Sequence, residues 1–320
     1  MPQLKKWVCQ TDRSHIFDAQ SDDGFCPTCP FGDGVLFLET IDVPRENATP
    51  FIAADSSEVR PFKSDEPEVG LAVLLMDASS SMTDPAFEGN PMTRMQLVAS
   101  TAASGIFDLD RMRNNPNAYV AAFKFDDRVE MMFVDTVANL IKKYDGEVRK
   151  FAAYIFEQLK EMQQGTDINK ALKTAHIFVN KFLRKELDPE IFPLNEYTPM
   201  KQRILKSNIE SVSIPNVRVL LYTDGEQYDT NGDKTLFPNP FQSDPLPDLN
   251  HDIVIGAFFG QESDNGCDGL KSLLSDCPIH SEKQFFLFDK PNQIGYLKYL
   301  FRMASGASGF CPYCLKKQIE

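Results

Sequence analysis

Three short runs put oxygen-bearing side chains where a hard cation could be held. Asp77-Ala78-Ser79-Ser80-Ser81 places a carboxylate and two hydroxyls at alternate positions of one turn. Gly165-Thr166-Asp167 opens a helical pattern, and Thr223-Asp224-Gly225 closes an apolar run. Hydroxyls and carboxylates are the donors that Mg²⁺, Mn²⁺ or Ca²⁺ accepts, Mg²⁺ taking about six oxygens and keeping several waters. Direct hydroxyl ligands and few carboxylates favour the smallest of these ions. Ser, Thr and Asp are also the preferred helix N-caps, so each run alone is equally explained by capping. The three in order carry the metal reading.

Thiols form the second set. The seven cysteines stand at 9, 26, 29, 267, 277, 311 and 314, an odd number that argues against a closed disulfide framework. Cys26-Pro27-Thr28-Cys29 is a C-P-x-C turn, which points two thiolates at one centre and its backbone amides at the sulfurs. Trp7-Val8-Cys9 resembles the opening strand of a rubredoxin-like ribbon, with Asp12 where a second cysteine would stand. Cys9, His15, Cys26 and Cys29 would then close a structural Cys₃His site for Zn²⁺. The competing arrangement pairs Cys26 and Cys29 with Cys311 and Cys314. The first is preferred because its ligands lie within one short module. Cys311-Pro312-Tyr313-Cys314 is half a site, a redox pair, or a knuckle completed by a partner chain. Reduced, unliganded thiols are the plain alternative throughout. Cys267 and Cys277 read as structural or incidental, His176 as a packed core histidine, and His251 and His280 as loop residues without recognisable spacing.

These residues need a frame to position them. Residues 69–76 (VGLAVLLM), 118–125 (AYVAAFKF), 217–223 (VRVLLYT), 253–259 (IVIGAFF) and 283–288 (KQFFLF) are near-continuous apolar runs, as strands buried on both faces require. Apolar residues recur at helical spacing over 93–111, 148–163, 168–185 and 292–304. Strands alternating with helices predict an α/β fold with a doubly wound, mostly parallel sheet. The expected organisation is a zinc-ribbon-like module at 1–38 and a Pro- and acid-rich linker at 39–68. The α/β domain follows at 69–304, with a C-terminal tail carrying the last C-x-x-C at 305–320. Residues 187–215 and 226–250 read as irregular excursions.

The runs LLMDASSSM, QGTDINKAL and LLYTDGE, in that order and spacing, resemble a von Willebrand factor type A (VWA) domain with its metal-ion-dependent adhesion site. The resemblance spans roughly residues 69–304. It implies a site in which Asp77, Ser79 and Ser81 fill the D-x-S-x-S positions, Thr166 the lone threonine and Asp224 the second aspartate. In that family the hydroxyls touch the metal, the aspartates act directly or through water, and a partner's Asp or Glu completes the shell. Ser80 stands where many members have glycine, and Asp84 with the insertion 85–91 departs from the usual rim. Because a strand-end loop is not core, Asp77→Ala is expected to leave folding largely intact.

Composition narrows the function classes. The 46 acidic residues against 33 basic ones give a formal charge of −13, which repels phosphates and disfavours nucleic acid or an anionic membrane as partner. No apolar run approaches about 18 residues, and the polar N-terminus is not that of an exported chain, so a cytoplasmic location is expected. No G-x-S-x-G, phosphate loop or H-E-x-x-H is present, which points to a non-enzymatic binding module. The alternative is a metal-dependent phosphoryl-transfer hydrolase, for which Asp167 is the one candidate base besides the ligands. Intracellular bacterial VWA proteins imply partners such as a protein kinase, a phosphatase or an AAA+ ATPase in a signalling or assembly complex. The surplus of acid favours a partner with a basic surface around its inserted carboxylate.

Overall fold

A computed structural model describes strand backbone at residues 3–9, 16–17 and 36–42, and the chain from residue 66 onward. Outside the described residues lie 88–90, 112–117, 163–164, 206–210, 229–230, 247–248, 250–252, 278–279, 291–292, 294–296, 298–299, 301–310 and 314–320. The chain divides into two units, residues 1–65 and 66–320.

In the first unit, β1 (Gln3–Cys9) is the centre of a three-stranded antiparallel sheet, between β2 (Ile16–Phe17) and β3 (Leu36–Asp42). Cys9 ends β1 opposite Leu36. His15, Cys26, Cys29 and the Cys9 side chain fall outside the described residues, as does Cys314.

The second unit is built on β4 (Glu68–Asp77). This strand sends Val69, Leu71, Val73 and Leu75 into one apolar cluster and Ala72, Leu74 and Met76 into another on the opposite face. Burial on both sides is why the strand reads as an unbroken apolar run; each such side chain contributes about 1.5–3 kcal/mol when fully buried. β5 (Ala118–Phe125), β10 (Val217–Thr223), β11 (Val254–Phe259) and β12 (Phe285–Phe288) run parallel to it. The sheet order is β12-β11-β10-β4-β5-β6, with a two-residue strand β7 (Thr198–Pro199) pairing the start of β4. β6 (Val129–Thr136) is antiparallel to β5, with a register shift at Ala122/Phe123.

Helices α1 (Arg94–Arg111), α2 (Val137–Lys143) and α3 (Val148–Lys160) cover one face; α4 (Ile168–Arg184), the short α5 (Pro240–Ser243) and α6 (Asn265–Leu273) cover the other. The α/β architecture with a mostly parallel sheet is the one expected. The excursion at 187–215 is more ordered than its sequence suggests, since it carries β7 and a hairpin of β8 (Lys201–Leu205) with β9 (Ser211–Pro215). β6 and α2 are likewise absent from the sequence expectation.

Candidate metal site at the carboxyl ends of the central strands

β4 leads through α1 to β5 on one side, while β10 joins it on the other. The strand order therefore reverses between β4 and β10, and the crevice beyond their carboxyl ends is where such sheets take ligands. Asp77 is the last residue of β4, and the register that sets Tyr222 beside Met76 brings Thr223 and Asp224 next to it.

Asp77 is wholly buried. Its Oδ1 accepts from the Ser79 amide at 2.8 Å and its Oδ2 from the Thr223 hydroxyl at 2.6 Å. Thr223 Oγ1 in turn accepts from the Gly225 amide at 3.2 Å. Ser79 and Ser81 lie hydroxyl to hydroxyl at 3.1 Å, and Ser81 donates to Asp224 Oδ1 at 2.7 Å. The 3-10 turn Ser80–Thr83 follows Ser79, yet the Ser79 side chain caps nothing. Capping thus fails to explain the D-x-S-x-S run, whose polar groups turn inward on one another.

Thr166 and Asp167 divide the two roles that their types allow. Asp167 is the N-cap of α4: its Oδ1 accepts from the Lys170 amide at 3.0 Å and from Gln227 Nε2 at 3.1 Å. Thr166 is buried and exchanges two backbone hydrogen bonds of 2.9 Å with Tyr228. Its hydroxyl lies against the Thr223–Gly225 turn, 3.2 Å from where a Cβ on Gly225 would stand. The 226–250 excursion therefore clamps the start of α4 beside the site, with Asn169 bonded to Thr235 and Phe237 as well. Gly165 makes this approach possible: its φ is +44°, and a Cβ there would meet the Tyr228 carbonyl at 2.9 Å. Gly165→Ala is expected to cost about 1–3 kcal/mol in urea denaturation, from left-handed strain and a displaced Thr166–Tyr228 pair. An unchanged midpoint would mean the turn relaxes freely.

One contributor escaped the sequence reading. Arg94, the first residue of α1, donates through Nη1 to Asp224 Oδ2 in a close ion pair and reaches the Ser81 carbonyl at 3.5 Å. It is aimed there by the insertion before α1, where the Arg94 amide bonds the Asp84 carbonyl and Pro85 pairs with Thr93. Among the described residues, Arg94 Nε is buried without a hydrogen-bond partner.

The electrostatics follow from burial. Loss of solvent, and then the nearby Asp224 charge, push Asp77 up to about 7, against the hydrogen bonds from Thr223 and Ser79. Burial also raises Asp224, while Ser81 and Arg94 pull it down. Arg94 balances Asp224, whereas Asp77 once ionised is held by the neutral donors of Ser79 and Thr223. With three hydroxyls converging on the same crevice, this donor set fits a hard divalent cation.

No family model matches the chain, and no curated protein matches it. Solved structures similar to it include a von Willebrand factor type A protein from Catenulispora acidiphila (11% identity, TM-score 0.41, covering 75% of this chain and 43% of that one). Another is the ArnB paralog VWA2 from Sulfolobus acidocaldarius (13% identity, TM-score 0.38, covering 72% and 44%). A third is proximal thread matrix protein 1 from the mussel byssus (16% identity, TM-score 0.40, covering 74% and 46%). The chain spans less than half the length of each of these proteins.

Proposed function

We propose that the second unit is a VWA-type binding module whose site takes one divalent cation, Mg²⁺ before Mn²⁺ or Ca²⁺. Ser79, Ser81 and Thr166 would supply hydroxyls and Asp77 and Asp224 carboxylates. The bound metal would supply an electrophilic position for an Asp or Glu of a protein partner. The observation that carries this reading is the buried Asp77–Asp224 pair, laced together by Ser79 and Ser81 at the sheet's switch point and short of positive charge. A bacterial signalling or assembly complex in the cytoplasm, with a protein kinase, a phosphatase or an AAA+ ATPase as partner, belongs to the same proposal and rests on the sequence resemblance. Among the described residues, no helix is long and apolar enough to cross a membrane.

Capping of α4 by Asp167 favours binding over phosphoryl transfer, because it engages the one candidate base outside the ligands. The test is capture of host proteins by immobilised full-length chain, wild type beside Asp77→Asn, with Mg²⁺ present or omitted. Partners held only by wild type with Mg²⁺ support the module. Mg²⁺-dependent turnover of a phosphate ester, lost in Asp77→Asn, would replace it with the hydrolase.

Arg94 sets the affinity in this scheme. Removing a positive charge a few ångströms from the cation position should tighten Mn²⁺ binding by at least about tenfold in calorimetric titration of Arg94→Gln. Weaker binding would instead make Arg94 a support that holds Asp224 in place.

A further inference from the structure

Away from the crevice, a second group of ligand atoms converges at the edge of the same unit. Cys277 Sγ lies 3.8 Å from His280 Nδ1, and Cys311 Sγ lies 3.5 Å from that same nitrogen. All three ligand atoms fall within 4.8 Å of one another. Both thiols are buried, while the imidazole is half-buried. The geometry points to a structural zinc site formed by Cys277, His280 and Cys311.

Distance supports this reading first. Zn–S bonds of about 2.3 Å and Zn–N bonds of about 2.05 Å in a tetrahedral shell put sulfur and nitrogen about 3.6 Å apart. The two observed separations bracket that value. Convergence supports it next: two sulfurs approach the same ring nitrogen, the arrangement that a shared metal requires.

Local backbone explains how a loop delivers the first pair. The Asp276–Lys283 bridge and the Lys283–Asp276 ion pair at 3.0 Å close a short loop. Within it the Ser281 amide bonds the Cys277 carbonyl at 2.9 Å, and the Cys277 amide bonds the Glu282 carbonyl at 2.7 Å. Ser281 takes φ +57°, which turns the chain back and sets His280 over Cys277. The sequence of this loop is Cys277-Pro278-Ile279-His280, the C-P-x-C pattern of the chain's other two knuckles with histidine in the last place. Cys311 opens Cys311-Pro312-Tyr313-Cys314, so two knuckles supply the three ligands. Cys277, which reads from sequence as structural or incidental, and His280, which reads as a loop residue, are thereby brought together with Cys311. Zinc here would fasten Cys311, 31 residues beyond His280, to the loop that enters β12.

Zinc per chain is measured by elemental mass spectrometry on full-length protein in a Cys26→Ser/Cys29→Ser background, which cripples the N-terminal set. Adding Cys277→Ser or Cys311→Ser should remove about one further equivalent of zinc. Unchanged zinc in both Cys277→Ser and Cys311→Ser overturns the proposal. Should those variants fail to fold, His280→Cys preserves a ligand. In cobalt-substituted protein it should strengthen the thiolate-to-metal charge-transfer absorption by about one thiolate's worth. An unaltered spectrum would remove His280 from the shell and overturn the site.

Discussion

Asp77→Asn should bind divalent cations at least about 100-fold more weakly than wild type, yet melt at a higher temperature than wild type when both are metal-free. The two effects share one cause. Asp77 is a wholly buried carboxylate facing Asp224, so its charge is costly until a cation arrives. Asparagine keeps the shape and still accepts from the Ser79 amide, while the Thr223 hydroxyl can turn to accept instead of donate. The cation loses a direct or water-bridged carboxylate. Second-shell changes alone weaken metal sites about 10–100-fold, so a loss of at least about 100-fold is expected here. Mn²⁺ titration calorimetry and a thermal melt in Mg²⁺-free buffer read both effects. Wild-type affinity in the variant would remove Asp77 from the site. Alanine is a poorer probe: it strands the Thr223 hydroxyl and Ser79 amide in a buried place, at about 1–3 kcal/mol. The expectation that Asp77→Ala leaves the fold intact, made from its place in a strand-end loop, gives way to its complete burial.

Metal-free protein should also lose stability as pH rises from 5 towards 8, and metal affinity should rise over the same range. Asp77 in the folded chain holds its proton up to about 7, whereas the unfolded chain releases it near the ordinary value of 3.8. Between those values the native state binds more protons, so stability is greatest at the acid end and falls with pH until Asp77 has ionised. The slope contributed is up to about 1.4 kcal/mol per pH unit. A cation must displace that proton, so below 7 its apparent affinity climbs by up to about tenfold per pH unit and then levels. Urea denaturation of wild type and Asp77→Asn at pH 5, 6, 7 and 8, both free of Mg²⁺, isolates this group by difference. A difference that stays constant with pH would show that Asp77 is ionised throughout.

The strands that frame the site were legible because burial on both faces forces continuous apolar runs, as in residues 118–125 and 217–223. β6 was not, since its antiparallel edge position exposes Glu130 and Met131 and breaks the run. The hairpin of β8 and β9 hides in polar sequence for a similar reason: Lys201, Gln202 and Arg203 carry no strand signature. At the site, Asp77, Ser79, Ser81, Thr166 and Asp224 each sit at an element's end, where local motif and position coincide. Arg94 carries no motif, because its aim depends on the hydrogen bond its amide donates to the Asp84 carbonyl across the insertion. Cys277 and His280 were within reach of sequence reading. The C-P-I-H run repeats the knuckle pattern with histidine in the fourth place, outside the C-x-x-C spacing.

The two ends of the large sheet differ in how readily they would recruit another chain. At one end, β6 carries Glu130 and Asp135 and meets β5 through a register shift that distorts its ladder. Charge and irregularity on a border strand discourage a stranger from pairing there. At the other end, β12 is Phe285-Phe286-Leu287-Phe288, four residues without a charge among them. Its brevity and its fixed place beside β11 are its protection. Loosening the loop that enters β12 would free an aromatic, charge-free segment of the kind that seeds polymers, so the border at Phe285–Phe288 is where damage to this fold would turn into self-association.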